Sequence, residues 1–133
     1  MVYGAIVGMV CSEILGALWY HPRVFGSAWM RTAYPGRTEP EIQAAVGASK
    51  AMTLVVLTNG LLCFLINFAL GPLLRSGSCV DAIVRGVLIS MVVILIDISH
   101  CLFSARSLVG FVIDRAYDTC MIILICVCIA AIG

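Results

Sequence analysis

Six ionisable residues stand inside or at the edges of long apolar stretches: Glu13, Asp97, His100, Asp114, Arg115 and Asp118. Carboxylates and an imidazole can carry protons or hold cations, and a guanidinium can neutralise neighbouring carboxylates. Asp97 and His100 are three residues apart, as are Arg115 and Asp118, a spacing at which side chains meet on a helix. Ionisable groups within apolar spans are rare and are candidate functional groups by default. Two chemistries fit them: a proton or ion pathway, or a satisfied polar network that fixes helix register. Asp and His are also metal ligands, but no H-E-x-x-H spacing occurs, and the thiols of Cys126 and Cys128 fall about 200° apart on a helix. No metal or cofactor is therefore expected. No G-x-S-x-G, P-loop or dinucleotide fingerprint occurs, so no catalytic residues are assigned and an enzyme is the least favoured class. Asp97 and His100 are the pair that an intramembrane reaction would use.

The elements that must position these groups are four apolar runs, at residues 2–20, 51–74, 82–104 and 109–132. Hydrophobic residues make up 62% of the 133 and charged ones 11%, against roughly 45–50% and 25% in soluble domains. Mean hydropathy is +1.13. The expected fold is all-α: a single polytopic domain over 1–133, with four transmembrane helices of about 20 residues each. A net charge of +1 excludes a basic footprint for nucleic acid. Run one lacks a basic leader and a small-residue cleavage site, so it is expected to be retained. Six of the seven cysteines fall in the runs and read as small packing residues.

Between runs one and two lies an interfacial segment, 21–50, expected to hold a short helix on the headgroups. Trp19, Tyr20, Phe25 and Trp29 are its interfacial anchors, since aromatic rings prefer that depth. Tyr34-Pro35-Gly36 should turn the chain. Thr38 and Glu41 then form a candidate capping box, starting a helix expected to run through Ile42 and Val46 into run two.

Lipid gives helices no hydrophobic reason to associate, so close packing and polar contacts must do so. Gly4, Gly8, Ser12 and Gly16 recur every four residues on one side of run one, a packing seam. In run two, Asn59 and Asn67 offer amides to neighbouring helices. Run four holds eleven Leu, Ile, Phe or Val residues, contributing roughly −3 to −7 kcal/mol to insertion, whereas Asp114, Arg115 and Asp118 at mid-bilayer would cost roughly +8 to +10. Those three must therefore pair, face protein or lie near an interface. Counting back from the loops at about 1.5 Å per residue puts Glu13, Asp97, Asp114 and Asp118 at similar depth. One polar cluster of Glu13, Asp97, His100, Asp114, Arg115 and Asp118 is the resulting expectation.

Loop one carries Arg23, Arg31, Arg37 and Lys50, loop three Arg106, and loop two only Arg75. The basic excess places loops one and three on the cytoplasmic or matrix-like side, and both termini on the opposite side. An organelle membrane such as the mitochondrial inner membrane suits this composition.

The stretch Leu18-Trp19-Tyr20-His21-Pro22-Arg23-Val24-Phe25-Gly26-Ser27-Ala28-Trp29-Met30 resembles the signature of a small membrane family, domain of unknown function 1761. Leu102-Phe103 through Arg106, Phe111-Val112-Ile113-Asp114 and Tyr117 are similar to that family's entry into its fourth span. The resemblance covers nearly the whole chain. It implies a four-helix membrane protein and supplies no activity. Arg115, Asp118 and the cysteines depart from the family pattern. Short loops, packing seams and missing catalytic motifs point to an accessory or assembly subunit of a larger membrane complex, its partners being lipids and other membrane subunits or copies of itself. The alternative is a small oligomeric transporter that conducts ions or protons through its buried carboxylates.

Overall fold

The computed structural model describes residues 2–46 and 48–133. Helix α1 spans Tyr3–Trp19 and ends where the Tyr20 amide donates to the Gly16 carbonyl and the His21 amide to that of Leu18. His21 is extended, with ψ of 138°, as a residue before proline prefers. A single π turn, Pro22–Gly26, follows. The Gly26 amide closes it on the His21 carbonyl at 3.1 Å, and a Cβ on Gly26 would strike the Tyr20 carbonyl oxygen. The Pro-to-Gly spacing of this motif is thus a requirement of close backbone return. Helix α2 covers Ser27–Ala33. Tyr34-Pro35-Gly36-Arg37 turns the chain, the Arg37 amide bonding to the Tyr34 carbonyl at 3.3 Å. Gly36 sits at φ +78°, the left-handed value that the third position of a type II turn requires.

Helix α3 is Glu39–Val46. The Thr38 amide and hydroxyl both donate to Glu41 Oε2 at 2.8 Å, and these bonds hold the exposed Glu41 carboxyl below its usual range. The three long helices are α4, Ala48–Arg75, α5, Cys79–Phe103, and α6, Leu108–Ile132. Continuity of α3 with α4 would pass through Gly47, outside the described residues. Ser78 and Asp81 build a reciprocal capping box at the start of α5. Segment 21–50 therefore holds, before α4, the short helix α2 and, after the Tyr34-Pro35-Gly36 turn, α3 starting behind Thr38, as the spacing suggests; the π turn at Pro22 is the addition.

Three helices, α4, α5 and α6, are long and apolar enough to cross a membrane. Helix α1 has 17 residues, about 26 Å at 1.5 Å per residue, short of a ~30 Å hydrocarbon core. It passes the same test only together with Pro22–Ala33, across a 45° bend. The described fold is all-α with up to four candidate spans.

Helix α6 is the hub, packing on α5, α1 and α4, while α1 also packs on α4. Its Met121, Ile122, Ile125, Cys126 and Ile129 are buried with Ala5, Cys63, Ile66, Leu74 and Ala82 from the other helices. Two close approaches make this possible. A Cβ on Gly4 would come within 2.7 Å of the Ile129 Cα, and one on Gly86 within 2.9 Å of the Ile123 Cα. Gly8 lies against Ile125, Gly16 against the Tyr117 hydroxyl, and Ser12 is fully buried. The seam of α1 faces α6. Outward faces stay apolar: Leu57, Leu61 and Phe68 of α4 and Leu88, Leu95 and Ile96 of α5 are exposed. All seven cysteines are free, with Cys63, Cys101, Cys126 and Cys128 buried and Cys79 and Cys120 exposed.

Candidate functional site

The charged groups gather where α5 ends and α6 begins. Helix α5 stops at Phe103, and the Arg106 amide returns to the Cys101 carbonyl at 3.2 Å. Ala105 makes this tight return at φ +50°, a left-handed value uncommon outside glycine. The return brings Arg106 back beside Asp97, nine residues earlier. Arg106 Nη2 reaches Asp97 Oδ1 at 3.3 Å, and its Nε donates to Ser104 Oγ at 3.2 Å. From α6, Arg115 Nε faces the other oxygen, Asp97 Oδ2, at 3.6 Å, and Arg115 Nη2 pairs with Asp118 Oδ2 at 3.0 Å. Arg106, Asp97, Arg115 and Asp118 thus alternate in sign along one chain of contacts. Arg115 and the two aspartates keep only 21–26% of their side-chain exposure, against 52% for Arg106. Arg115 Nε is buried and lacks a hydrogen-bond partner among the described residues; its contact with Asp97 is an ion pair beyond bonding length. The Phe111 ring lies 6.0 Å from the Arg115 guanidinium carbon, the outer limit for a cation–π contact.

A second group joins the end of α1 to the same part of α6. The Tyr20 hydroxyl donates to Asp114 Oδ1 at 2.7 Å, and the Trp19 indole donates to the Ile113 carbonyl at 3.2 Å. The Tyr117 hydroxyl donates to the Ser12 carbonyl at 3.3 Å. The rings pack on one another: Trp19 on Phe25 at 4.7 Å, Tyr20 on Trp29 at 5.5 Å and on Tyr117 at 5.3 Å. Trp19, Tyr20, Phe25 and Trp29 are therefore bound to each other and to α6, whatever surrounds them.

A third contact lies between α1 and α4, where Asn59 Nδ2 donates to Glu13 Oε1 at 2.9 Å. Of the six ionisable residues singled out in the sequence, the structure joins Asp97, Arg115 and Asp118 directly. Asp114 and Glu13 are each tied elsewhere, to Tyr20 and Asn59. The His100 ring is exposed and makes no side-chain hydrogen bond or ion pair among the described residues.

Partners that the sequence spacing did not assign are Arg106, Asn59, Tyr20 and Tyr117. Arg106 was legible only as a loop cation, because the hairpin that returns it to Asp97 is tertiary. Arg85, four residues into run three, belongs to the opposite end: its Nη1 donates to the Leu73 carbonyl at 3.0 Å. There Arg75 Nη1 also donates to Asn67 Oδ1 at 3.0 Å.

Chemically, the arrangement neutralises charge within the chain. Among the described residues no three His, Cys, Asp or Glu side chains are placed to share a metal ion. The model of a family described as "Protein of unknown function (DUF1761)" matches residues 3–130. No curated protein and no solved structure matches the chain.

Proposed function

The chain belongs to the DUF1761 family, and from that membership and the geometry above we propose a multi-pass membrane protein without catalytic chemistry of its own, serving as an accessory or assembly subunit in a larger membrane complex. Helices α4, α5 and α6 each cross the bilayer, and α1 crosses as a fourth span whose bent continuation, the π turn and α2, lies at the interface. The basic residues of segment 21–50 together with Arg106 set the cytoplasmic or matrix-like side. Arg85, bonded to Leu73, joins Arg75 on the side of the termini, so the basic excess is five against two.

One observation carries the reading: each carboxylate within the spans, Glu13, Asp97, Asp114 and Asp118, already has a partner in its own chain. Groups consumed this way fix helix register, and a single added conservative change in a partner leaves a charge stranded in a poorly solvating medium. The outward helix faces are apolar. Helix α5 attaches to the bundle through α6 and exposes Val84, Leu88, Met91, Val92 and Leu95 along its length. A patch of that extent marks a lipid or protein contact.

The test is the mass of the assembly extracted in mild detergent. Unlike membrane subunits retained at fixed stoichiometry support the accessory role. A chain recovered only with copies of itself, whose proton or cation flux in liposomes disappears with Asp97→Asn, would replace it with the transporter.

A further inference from the structure

A cleft of about 370 Å³ opens beside the charged network, between α2 and the α5–α6 turn. Its size lies in the range of small-ligand sites. Two chemistries line its wall. One is Arg106, half exposed. Its guanidinium offers five N–H donors and spends them, among the described residues, on Asp97 and Ser104 alone. Helix α6 starts on that wall without a side-chain cap from Ser107, which leaves first-turn amides open to an acceptor. The other is the Asp114 carboxylate with the aromatic residues Trp29, Tyr34 and Phe111. Asp114 accepts one bond, from Tyr20, and keeps acceptor capacity on a carboxylate that can take several. Carboxylate and aromatic faces together suit an ammonium, whereas the guanidinium side suits a phosphate.

Greasy, exposed residues adjoin the lining in the chain: Phe103, 95% exposed, precedes Ser104, and Leu108 and Val109 lie between Ser107 and Gly110. Gly110 allows α6 to close on α2: a Cβ there would come within 2.7 Å of Thr32 Oγ1. A soluble ligand would have no use for these apolar neighbours, but an acyl chain would.

We propose that this cleft binds the headgroup of an aminophospholipid of the ethanolamine type, with its phosphate on Arg106, its ammonium against Asp114 and the aromatic rings, and its chains along Phe103, Leu108 and Val109. The assignment rests on the membrane placement proposed above. Opposite charges in one lining distinguish this ligand from an anionic lipid, which would bring its phosphate to Arg106 and nothing to satisfy Asp114.

The experiment is native mass spectrometry of the full chain from nanodiscs, read against ethanolamine, glycerol and choline phospholipids of equal chain length. Retention in membranes after alkaline wash is scored first. Loss there would overturn the placement, and the lipid measurement is interpreted only on retained protein. The expected result is at least about tenfold preferential retention of the ethanolamine lipid over the glycerol lipid, the scale of one charge-assisted hydrogen bond. Arg106→Gln should lower retention of every phospholipid, while Asp114→Asn should erase the preference and keep the phosphate contact. Equal retention of ethanolamine and glycerol lipids, or unchanged retention in Arg106→Gln, would overturn the proposal. So would saturation of the cleft by soluble phosphoethanolamine at the same concentration as the lipid.

Discussion

The two ends of this bundle are held together differently. Towards the termini, α1, α5 and α6 approach backbone to backbone, with Gly4 on Ile129 and Gly86 on Ile123. Towards the α5–α6 turn the same helices are joined by charge, through Asp97, Arg115 and Asp118, and by the Tyr20–Asp114 bond. In the membrane placement proposed above both devices answer one problem, since lipid offers no hydrophobic gain when helices meet. Close packing needs only shape and tolerates no added volume. Ionic joining tolerates shape change but not the loss of one partner. The first end should therefore fail by sterics and the second by stranded charge, and substitutions can tell them apart.

The largest effect is expected at the charged end. Arg115→Met removes the cation shared by Asp97 and Asp118 and should destabilise the bundle by about 3 kcal/mol, measured by reversible unfolding in mixed micelles. Adding Asp118→Asn should recover part of that loss. Next comes the packed end. Gly86→Val drives a side chain into the Ile123 backbone and should destabilise by about 1–3 kcal/mol, with no rescue from any charge-neutralising companion. If Gly86→Val were rescued that way, or Arg115→Met were not rescued at all, the contrast between the ends would not stand.

Smaller effects sharpen it. Glu13→Leu loses the Asn59 bond and should cost about 0.6 kcal/mol, the typical value for a polar contact between membrane helices. Glu13→Gln keeps an acceptor and should be near neutral in the same assay. The smallest effect lies outside the spans. Bonds from Thr38 lower the Glu41 carboxyl from its ordinary 4.5, so their support of α3 is full above that value and is lost as pH falls through the lowered one. Amide exchange at Ile42 should speed up only in that acid window; Glu41→Gln should abolish the dependence, and Thr38→Ala, which keeps the amide donor, should only weaken it.

The long helices are legible because their apolar runs are continuous: residues 51–74, 82–104 and 109–132 fall inside or within a residue of α4, α5 and α6. The seam of α1 is legible because a four-residue repeat of small residues maps onto one helix face. The short first span is less so. Its apolar run reaches Tyr20, but the helix stops at Trp19, and hydropathy does not register the bend imposed by His21-Pro22. Partner choice is the least legible. Three apart on one helix, Arg115 and Asp118 pair as spacing suggests. Asp97 instead takes Arg106 and Arg115, one across a hairpin and one across a helix interface, and His100, its local neighbour, is exposed and does not pair with it. Sequence spacing registers contacts within an element, and these are contacts between elements. Arg85 shows the same limit: its place in run three says nothing about the long side chain reaching back to Leu73, as cationic side chains near helix ends do.

We propose that the chain crosses the bilayer four times, α1 included, with the charged network near the basic face. Single cysteines at Val2, Arg37, Cys79 and Ser107, in a background otherwise freed of thiols, can be labelled on sealed vesicles with a membrane-impermeant reagent. Positions 2 and 79 should label from one side only, and positions 37 and 107 from the other only. Labelling of positions 2 and 37 from the same side would contradict it.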